Sequence, residues 1–353
     1  MKYIAVFQED LGVGGIQKSL ANLLKNIRNP DICVHLFLMS ANNFWGAELP
    51  SKVKVFYLKK MPSFYKFLPF ETAHHLFRFD FSYTEVDEYD LAIDFNSYQM
   101  SCALAAATIP AKKRIMWIHN NVAIKYREEW KYRVLWNAFK GKFRYFDAFI
   151  PCSEALIQPF KDLSGISEKS FTVIQNYIDA NEIQKKAQEG TPDLVIDSKK
   201  VNFVALGKLC HQKGYDIMLE TFKTVLSNRK DVCLYIIGDG PERKALEAQC
   251  ARNGIANNVT FLGNKENPYA YMQKMDAFVS TSRYEGQPLN IMEARVIGLP
   301  LYCSKNLEAY SKGLSGYSDL SLAIIKAEKK AKQPDNLAQY NQEILQKFYA
   351  LAN

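Results

Sequence analysis

Short apolar runs recur along the whole chain, and segments of helical length separate them. In the first half they fall near residues 2–8, 32–39, 53–58, 90–95, 114–118, 147–151 and 171–175. In the second half they fall near 201–206, 232–237, 259–262, 276–280 and 299–303. Strands spaced by helices imply βαβ units, whose sheets are parallel and buried on both faces. A chain of 353 residues exceeds one typical core and suits two such domains. The polar stretch from Asp179 to Lys200, containing Gly190-Thr191-Pro192-Asp193, breaks the rhythm and marks the junction. Within it, residues 182–189 still allow a short polar helix. The expectation is an α/β domain over 1–180, a linker over 181–200 and a second α/β domain over 201–335. No repeat of solenoid length is present. The tail beyond Ala327 reads as helices broken by Pro334.

The bulk numbers narrow the functional classes. A content of 48% hydrophobic and 23% charged residues is that of a soluble globular protein. No run of about 18 apolar residues offers a membrane span. Met1 to Phe7 meets Gln8-Glu9-Asp10 too soon for a signal peptide and reads as a first strand. The seven cysteines contain no C-x-x-C pair, and Cys33, Cys233 and Cys303 sit in apolar runs. They read as small buried hydrophobes in a reducing cytosol. The five histidines have no metal-ligand spacing, so a metal-dependent mechanism is not expected. A net charge of +8 suits nucleic acid, an anionic membrane or phosphorylated small molecules.

The segment richest in chemistry is Arg283-Tyr284-Glu285-Gly286-Gln287-Pro288-Leu289-Asn290-Ile291-Met292-Glu293, closing on Gly298-Leu299-Pro300. An apolar strand ending at Val279 feeds a turn, and Pro288 suits a first helical position because its missing N–H would be an orphan there. Free N–H groups at such a helix start attract anions. The flanking glutamates suit hydroxyls, and a nucleotide-sugar offers both. Alone, a glutamate in a first turn is commonly just a partner of the helix dipole, worth about 0.3–1 kcal/mol.

Other turns repeat the pattern of strand, glycine, helix. Leu11-Gly12-Val13-Gly14-Gly15-Ile16-Gln17 follows the first strand; Gln17 stands where a dinucleotide fingerprint needs glycine, and no phosphate-loop motif exists. Gly207-Lys208-Leu209-Cys210-His211-Gln212-Lys213-Gly214 puts two cations five residues apart on a turn, a pair that by itself reads as solvated. Gly238-Asp239-Gly240-Pro241 and Gly263-Asn264 follow two further strands, and His119-Asn120-Asn121 follows another.

Taken together, these residues resemble the retaining glycosyltransferases of family four, whose E-x7-E signature Glu285 and Glu293 match. The resemblance implies the GT-B fold, two Rossmann-like α/β domains facing each other across a cleft. It also implies a final helix, within 336–353 and centred on 344–351, crossing back to the N-terminal domain. The implied reaction moves a sugar from a nucleoside-diphosphate sugar, a UDP-sugar favoured, to a glycan or lipid-linked acceptor without metal or cofactor. Lys208 and Lys213 would grip the diphosphate, Glu285 the donor sugar and Glu293 the ribose. The backbone of Gly286, Gln287, Pro288 and Leu289 would hold sugar and phosphate. Gly14 and Gly15 would approach donor phosphates and acceptor, Gly207, Gly238, Gly240 and Asn264 would flank the nucleotide, and His119 would position the reacting sugar. Departures are Lys208 where arginine is commoner, Asn120 where aspartate is, Gln287 where an aromatic is, and a divergent stretch after Pro300. A non-catalytic nucleotide-sugar-binding module and a nucleotide-sugar epimerase remain as alternatives.

Two stretches interleave cations with aromatics: Lys59 to Phe70, and Lys125 to Tyr145 with Trp130, Tyr132, Arg133, Trp136, Lys140 and Lys142. Each is an ordinary amphipathic element or an interfacial surface for anionic lipid. Without a nucleic-acid module beside them, nucleic acid is not an expected partner. The expected setting is cytoplasmic, at the inner face of a membrane, in cell-surface polysaccharide or glycolipid synthesis.

Overall fold

The structure is a computed structural model describing residues 1–12, 14–42, 49–59, 61–62, 64–65, 68–190 and 194–353. Four members of the first basic–aromatic stretch, Lys60, Ser63, Lys66 and Phe67, lie outside the described residues, as do 191–193 of the expected linker. The chain divides into two compact units: Met1–Tyr177 with Gln339–Asn353, and Ile178–Ala338.

The first unit holds strands β1 (Lys2–Gln8), β2 (Ile32–Leu38), β3 (Val53–Tyr57), β4 (Leu91–Asp94), β5 (Arg114–Ile118), β6 (Ala148–Pro151) and β7 (Ser170–Phe171). They form a parallel sheet of order β3-β2-β1-β4-β5-β6-β7. β7 is shorter than the apolar run at 171–175, yet Thr172 and Ile174 still donate to the carbonyls of Phe149 and Pro151 at 3.1 Å each. The extended path therefore runs on beyond the regular ladder.

One face of this sheet packs Ile4, Val6, Ile93 and Trp117 against Leu20 and Leu24 of the helix Gly15–Lys25. Ile344 and Phe348, from the last helix, Ala338–Ala350, join the same core. Side chains buried this fully contribute about 1.5–3 kcal/mol each. Polar ties add direction: Tyr340 donates to the carbonyl of Asn176 at 2.9 Å, and the N–H of Arg28 donates to Tyr349 at 3.0 Å.

The second unit holds β8 (Val201–Leu206), β9 (Val232–Ile237), β10 (Val259–Gly263), β11 (Ala277–Ser280) and β12 (Leu301–Cys303), parallel in the order β10-β9-β8-β11-β12. Its core joins Phe203, Leu234, Ile236 and Val279 to Leu219 and Phe222 of the helix Tyr215–Asn228.

The expected linker at 181–200 is not a free connector at its start. Asp179 caps the helix Ala180–Gln188 by accepting from the N–H of Glu182 at 3.0 Å, and Ile183 and Ala187 are buried. Asn267 donates to the carbonyl of Lys186 at 2.7 Å. The division thus falls between Tyr177 and Ile178, upstream of 180, and the C-terminal segment rejoins the first unit from Gln339 rather than 336.

Candidate functional site

In an open parallel sheet the strand order reverses at one point, and the loops leaving the two strands there splay apart to leave a crevice. In the second unit that point lies between β8 and β11. The loop after β8 carries Gly207, Lys208 and Lys213; the loop after β11 carries Arg283, Glu285 and Gln287. Two distant sequence motifs therefore meet.

Their contact is specific. Lys213 Nζ is 2.7 Å from Glu285 Oε1, while Gln212 Nε2 donates to Glu285 Oε2 at 3.3 Å and to the carbonyl of Tyr284 at 3.1 Å. Arg283 grips Asp216 with both terminal nitrogens, at 2.8 and 2.6 Å, and reaches the carbonyl of His211 at 2.8 Å. That guanidinium holds the Asp216 carboxyl below its ordinary range. Thr281 donates to the carbonyl of Gly214 at 2.8 Å. Gly214 has φ +62°, and a Cβ there would collide with the carbonyl oxygen of Thr281, so the two loops close only around glycine.

The helix Leu289–Ile297 begins at the same place. Pro288 is its N-cap, not its first residue: its backbone is extended (ψ 96°), and its carbonyl accepts from Ile291 and Met292 at 3.2 and 3.4 Å. Pro288 has no side-chain cap bond to offer, and Asn290 Oδ1 accepts from the N–H of Ile291 at 3.0 Å. Asn290 pins its start to the end of β8, donating to the carbonyl of Leu206 at 2.7 Å. Glu285, Gln287 and Glu293 are each only 5% exposed, so their polar atoms need partners. Glu293 accepts from the Tyr269 hydroxyl at 3.2 Å.

The remaining loops of this unit assemble around Gly207. Gly238 has φ +134° and sits so close to the Gly207 carbonyl that a Cβ would overlap it. Its N–H donates to the carbonyl of Gly263 at 2.8 Å. Leu209 donates to the carbonyl of Asp239 at 3.0 Å, which carries Gly240 in alongside. Lys208 and Asn264 are exposed at this end of the sheet.

Gly14, Gly15 and His119 belong to the first unit. Asp10 organises the turn after β1, accepting from the N–H of Gly12 and from Gln17 Nε2, both at 3.1 Å. Gly14 then stands at the N-cap of the helix Gly15–Lys25 with no side-chain cap bond, and its carbonyl accepts from the N–H of Lys18 at 2.9 Å. His119, after β5, lies 4.6 Å from the ring of Phe95, and its Nε2 is 2.7 Å from the Phe95 carbonyl. Burial lowers its pKa to about 4. A carbonyl only accepts, so Nε2 keeps its proton and Nδ1 of the neutral ring presents a lone pair. A cavity of about 640 Å³ in this unit, walled by Phe143, Arg144, Gly165 and Lys169 among others, contains none of these residues.

Comparison with known proteins is direct. The model of the family described as Glycosyl transferases group 1 matches residues 187–312, and that of Glycosyltransferase Family 4 matches residues 13–182. The chain belongs to the family-four glycosyltransferases of GT-B fold. An uncharacterised glycosyltransferase of Methanocaldococcus jannaschii is 27% identical over 195 residues, covering 54% of this chain and 47% of that one. The N-acetylgalactosamine-N,N'-diacetylbacillosaminyl-diphospho-undecaprenol 4-alpha-N-acetylgalactosaminyltransferase of Campylobacter jejuni is 25% identical over 340 residues, 92% of this chain and 86% of that one. The crystal structure of HepE of Anabaena in complex with UDP and glucose superposes with a TM-score of 0.67 at 20% identity, covering 98% and 99% of the two chains. Against the first of these relatives the chain spans about half the partner's length.

Within this family member, the second unit brings together Gly207, Lys213, Gly238, Gly240, Glu285 and the start of the helix Leu289–Ile297. Sequence reasoning missed Asp216, Gln212, Asn290, Tyr269 and the structural use of Arg283. It also missed Asn306, which donates to the carbonyls of Ser282 and Arg283 at 2.9 and 3.1 Å and holds the post-β11 loop. Arg283 stands in the motif itself, but its partner lies 67 residues away and carries no local signal. In the divergent stretch after Pro300, Gly316 donates its N–H to Glu308 at 2.7 Å.

Proposed function

We propose that this chain transfers a sugar from a nucleoside-diphosphate sugar, UDP favoured, to a glycan or lipid-linked acceptor with retention of anomeric configuration. The observation that carries the reading is the meeting of Lys213, Glu285 and the start of the helix Leu289–Ile297 at the switch point of the second unit. When the anomeric C–O bond breaks, its electron pair stays on the diphosphate. Lys208, Lys213 and the N–H groups at the start of the helix Leu289–Ile297 would stabilise that charge, work that needs no metal ion. Glu285 holds the donor sugar's hydroxyls and Glu293, beside Tyr269, those of the ribose. Gly238, Gly240 and Asn264 border the nucleotide, and the main chain of Gly286 to Leu289 borders sugar and phosphate. In the first unit the Nδ1 lone pair of His119 accepts from a sugar hydroxyl, and Gly14 and Gly15 let main-chain N–H groups approach donor and acceptor. The acceptor oxygen bonds to the anomeric carbon on the face the diphosphate leaves, and its proton passes to a departing phosphate oxygen.

The bound UDP and glucose in the HepE structure support a uridine donor, and the diphospho-undecaprenol in the name of the Campylobacter relative supports a lipid-linked acceptor. Work on such an acceptor would take place in peripheral contact with the inner face of a membrane. A panel of nucleotide-sugars, screened first by thermal shift and then for transfer in EDTA, tests the reading. Transfer from one donor with product of unchanged anomeric configuration is expected. Binding without transfer from any member of the panel would overturn it, and so would isomerised donor without acceptor.

A further inference from the structure

The helix Trp130–Phe139 of the first unit carries apolar side chains on two opposite faces. Trp136 is buried, packing its ring 5.1 Å from Phe143 and 6.1 Å from Phe160, with Tyr132 and Phe139 half-buried beside it. These residues, with buried Lys142, account for the inward half of the basic–aromatic stretch. Lys142 donates to the carbonyl of Ser97 and faces the buried Asp94, so it is part of the interior. The other face has no such role. Trp130, Val134 and Ala138 follow at intervals of four, which keeps them on one side, and Leu135 adjoins them. Trp130 is 68% exposed, Val134 61% and Leu135 48%. Single exposed apolar residues are ordinary; a row along one helix face marks a contact surface.

Charge says which surface. Between residues 122 and 145 the chain carries seven lysines and arginines against Glu128 and Glu129 alone. Arg127, Lys131, Arg133, Lys140 and Arg144 are exposed around the apolar row. Two copies of this face would set like charges against one another, and Val134, Ala138 and Leu135 offer a nucleic acid nothing to recognise. An anionic bilayer satisfies both parts: its phosphates meet the cations while Trp130 seats at headgroup depth above the acyl chains. The geometry points to the outward face of the helix Trp130–Phe139 as the element that docks this chain on an anionic phospholipid surface. This deepens the reading above, resting on it only for a membrane-borne acceptor.

Flotation of the full chain with phosphatidylcholine vesicles, with and without phosphatidylglycerol, is the test. The protein should float with the anionic vesicles at low salt, weakly at high salt and hardly at all with phosphatidylcholine alone. The variant Trp130→Ser/Val134→Ser/Leu135→Ser should partition roughly tenfold less, with the UDP-induced thermal shift of the parent intact. Lys131→Glu/Lys140→Glu, which leaves the apolar row alone, should lose the preference for anionic lipid. Flotation of the serine variant at the parental level would overturn the inference. A parent that ignores anionic vesicles, or one that dimerises in light scattering through this face, would do the same. Lipid-dependent flotation in a parent that shows no shift with any nucleotide-sugar would support the docking face while removing the donor reading.

Discussion

The ammonium of Lys213 stands 2.7 Å from the carboxylate of Glu285, although 72 residues of chain separate them. The pair joins the loops leaving β8 and β11, and both side chains are largely shielded, Glu285 the more so. In the proposed reaction the cation must be available to a diphosphate while Glu285 remains oriented for the sugar. Lys213→Ala removes the cation and should lower kcat by about 10²–10³-fold, the usual loss for one stabiliser of transition-state charge. It should also leave an uncompensated carboxylate, destabilising the fold by about 1–3 kcal/mol in urea. Glu285→Gln keeps the shape and the amide contact, so it should cost less stability. Parental turnover in Lys213→Ala would remove the diphosphate role.

Arg283 and Asp216 are predicted to act as a unit. Their bidentate geometry fixes the post-β11 loop against the start of the helix Tyr215–Asn228, but the Asp216 side chain is 45% exposed, so solvent discounts the pair. A double-mutant cycle with Arg283→Ala and Asp216→Ala should return a coupling of about 1 kcal/mol. Each single variant should raise the donor KM more than it lowers kcat. Strictly additive effects would show that the pair does not hold the loops.

His119 makes the stability of the first unit depend on pH in a stated direction. Its pKa falls from 6.5 in the unfolded chain to about 4 in the fold, because burial penalises the imidazolium. Between those values the unfolded chain binds the extra proton, so this contribution is complete above pH 6.5 and is lost as pH falls toward 4. His35 behaves alike, also lowered to about 4 by burial. Asp94, raised by burial to about 6, opposes them: its effect on stability shrinks as pH falls below 6. Denaturation curves of the parent minus those of His119→Gln isolate the ring. A difference that is flat between pH 4 and 7 would contradict the assignment, and the ring nitrogens can be followed directly by NMR.

Much of this architecture was readable as local pattern. Continuous apolar runs mark β1, β8 and β9 because both faces of a parallel strand are buried, and glycines at strand ends mark the loops. What was not readable depends on strand order. Nothing near Asp216 announces Arg283, and nothing near Lys213 announces Glu285; β8 and β11 become neighbours only because the sheet reverses there. Pro288 misled for a finer reason. Either position at the helix start tolerates its missing N–H, and ψ alone makes it the cap. The stretch from Lys125 to Tyr145 mixes two environments, since Lys142 lies inside and Lys131 outside with no difference in residue type.

Calorimetric titration of UDP into the full chain with EDTA present tests the central claim most directly, that a nucleoside diphosphate seats at the β8–β11 switch point. The parent should bind. Glu293→Ala, which removes the acceptor beside Tyr269, should bind at least about tenfold more weakly, the worth of one hydrogen bond to a charged group. Lys213→Ala should weaken binding as well. Parental affinity in both variants, or a parent that binds only once a divalent cation is restored, would contradict it.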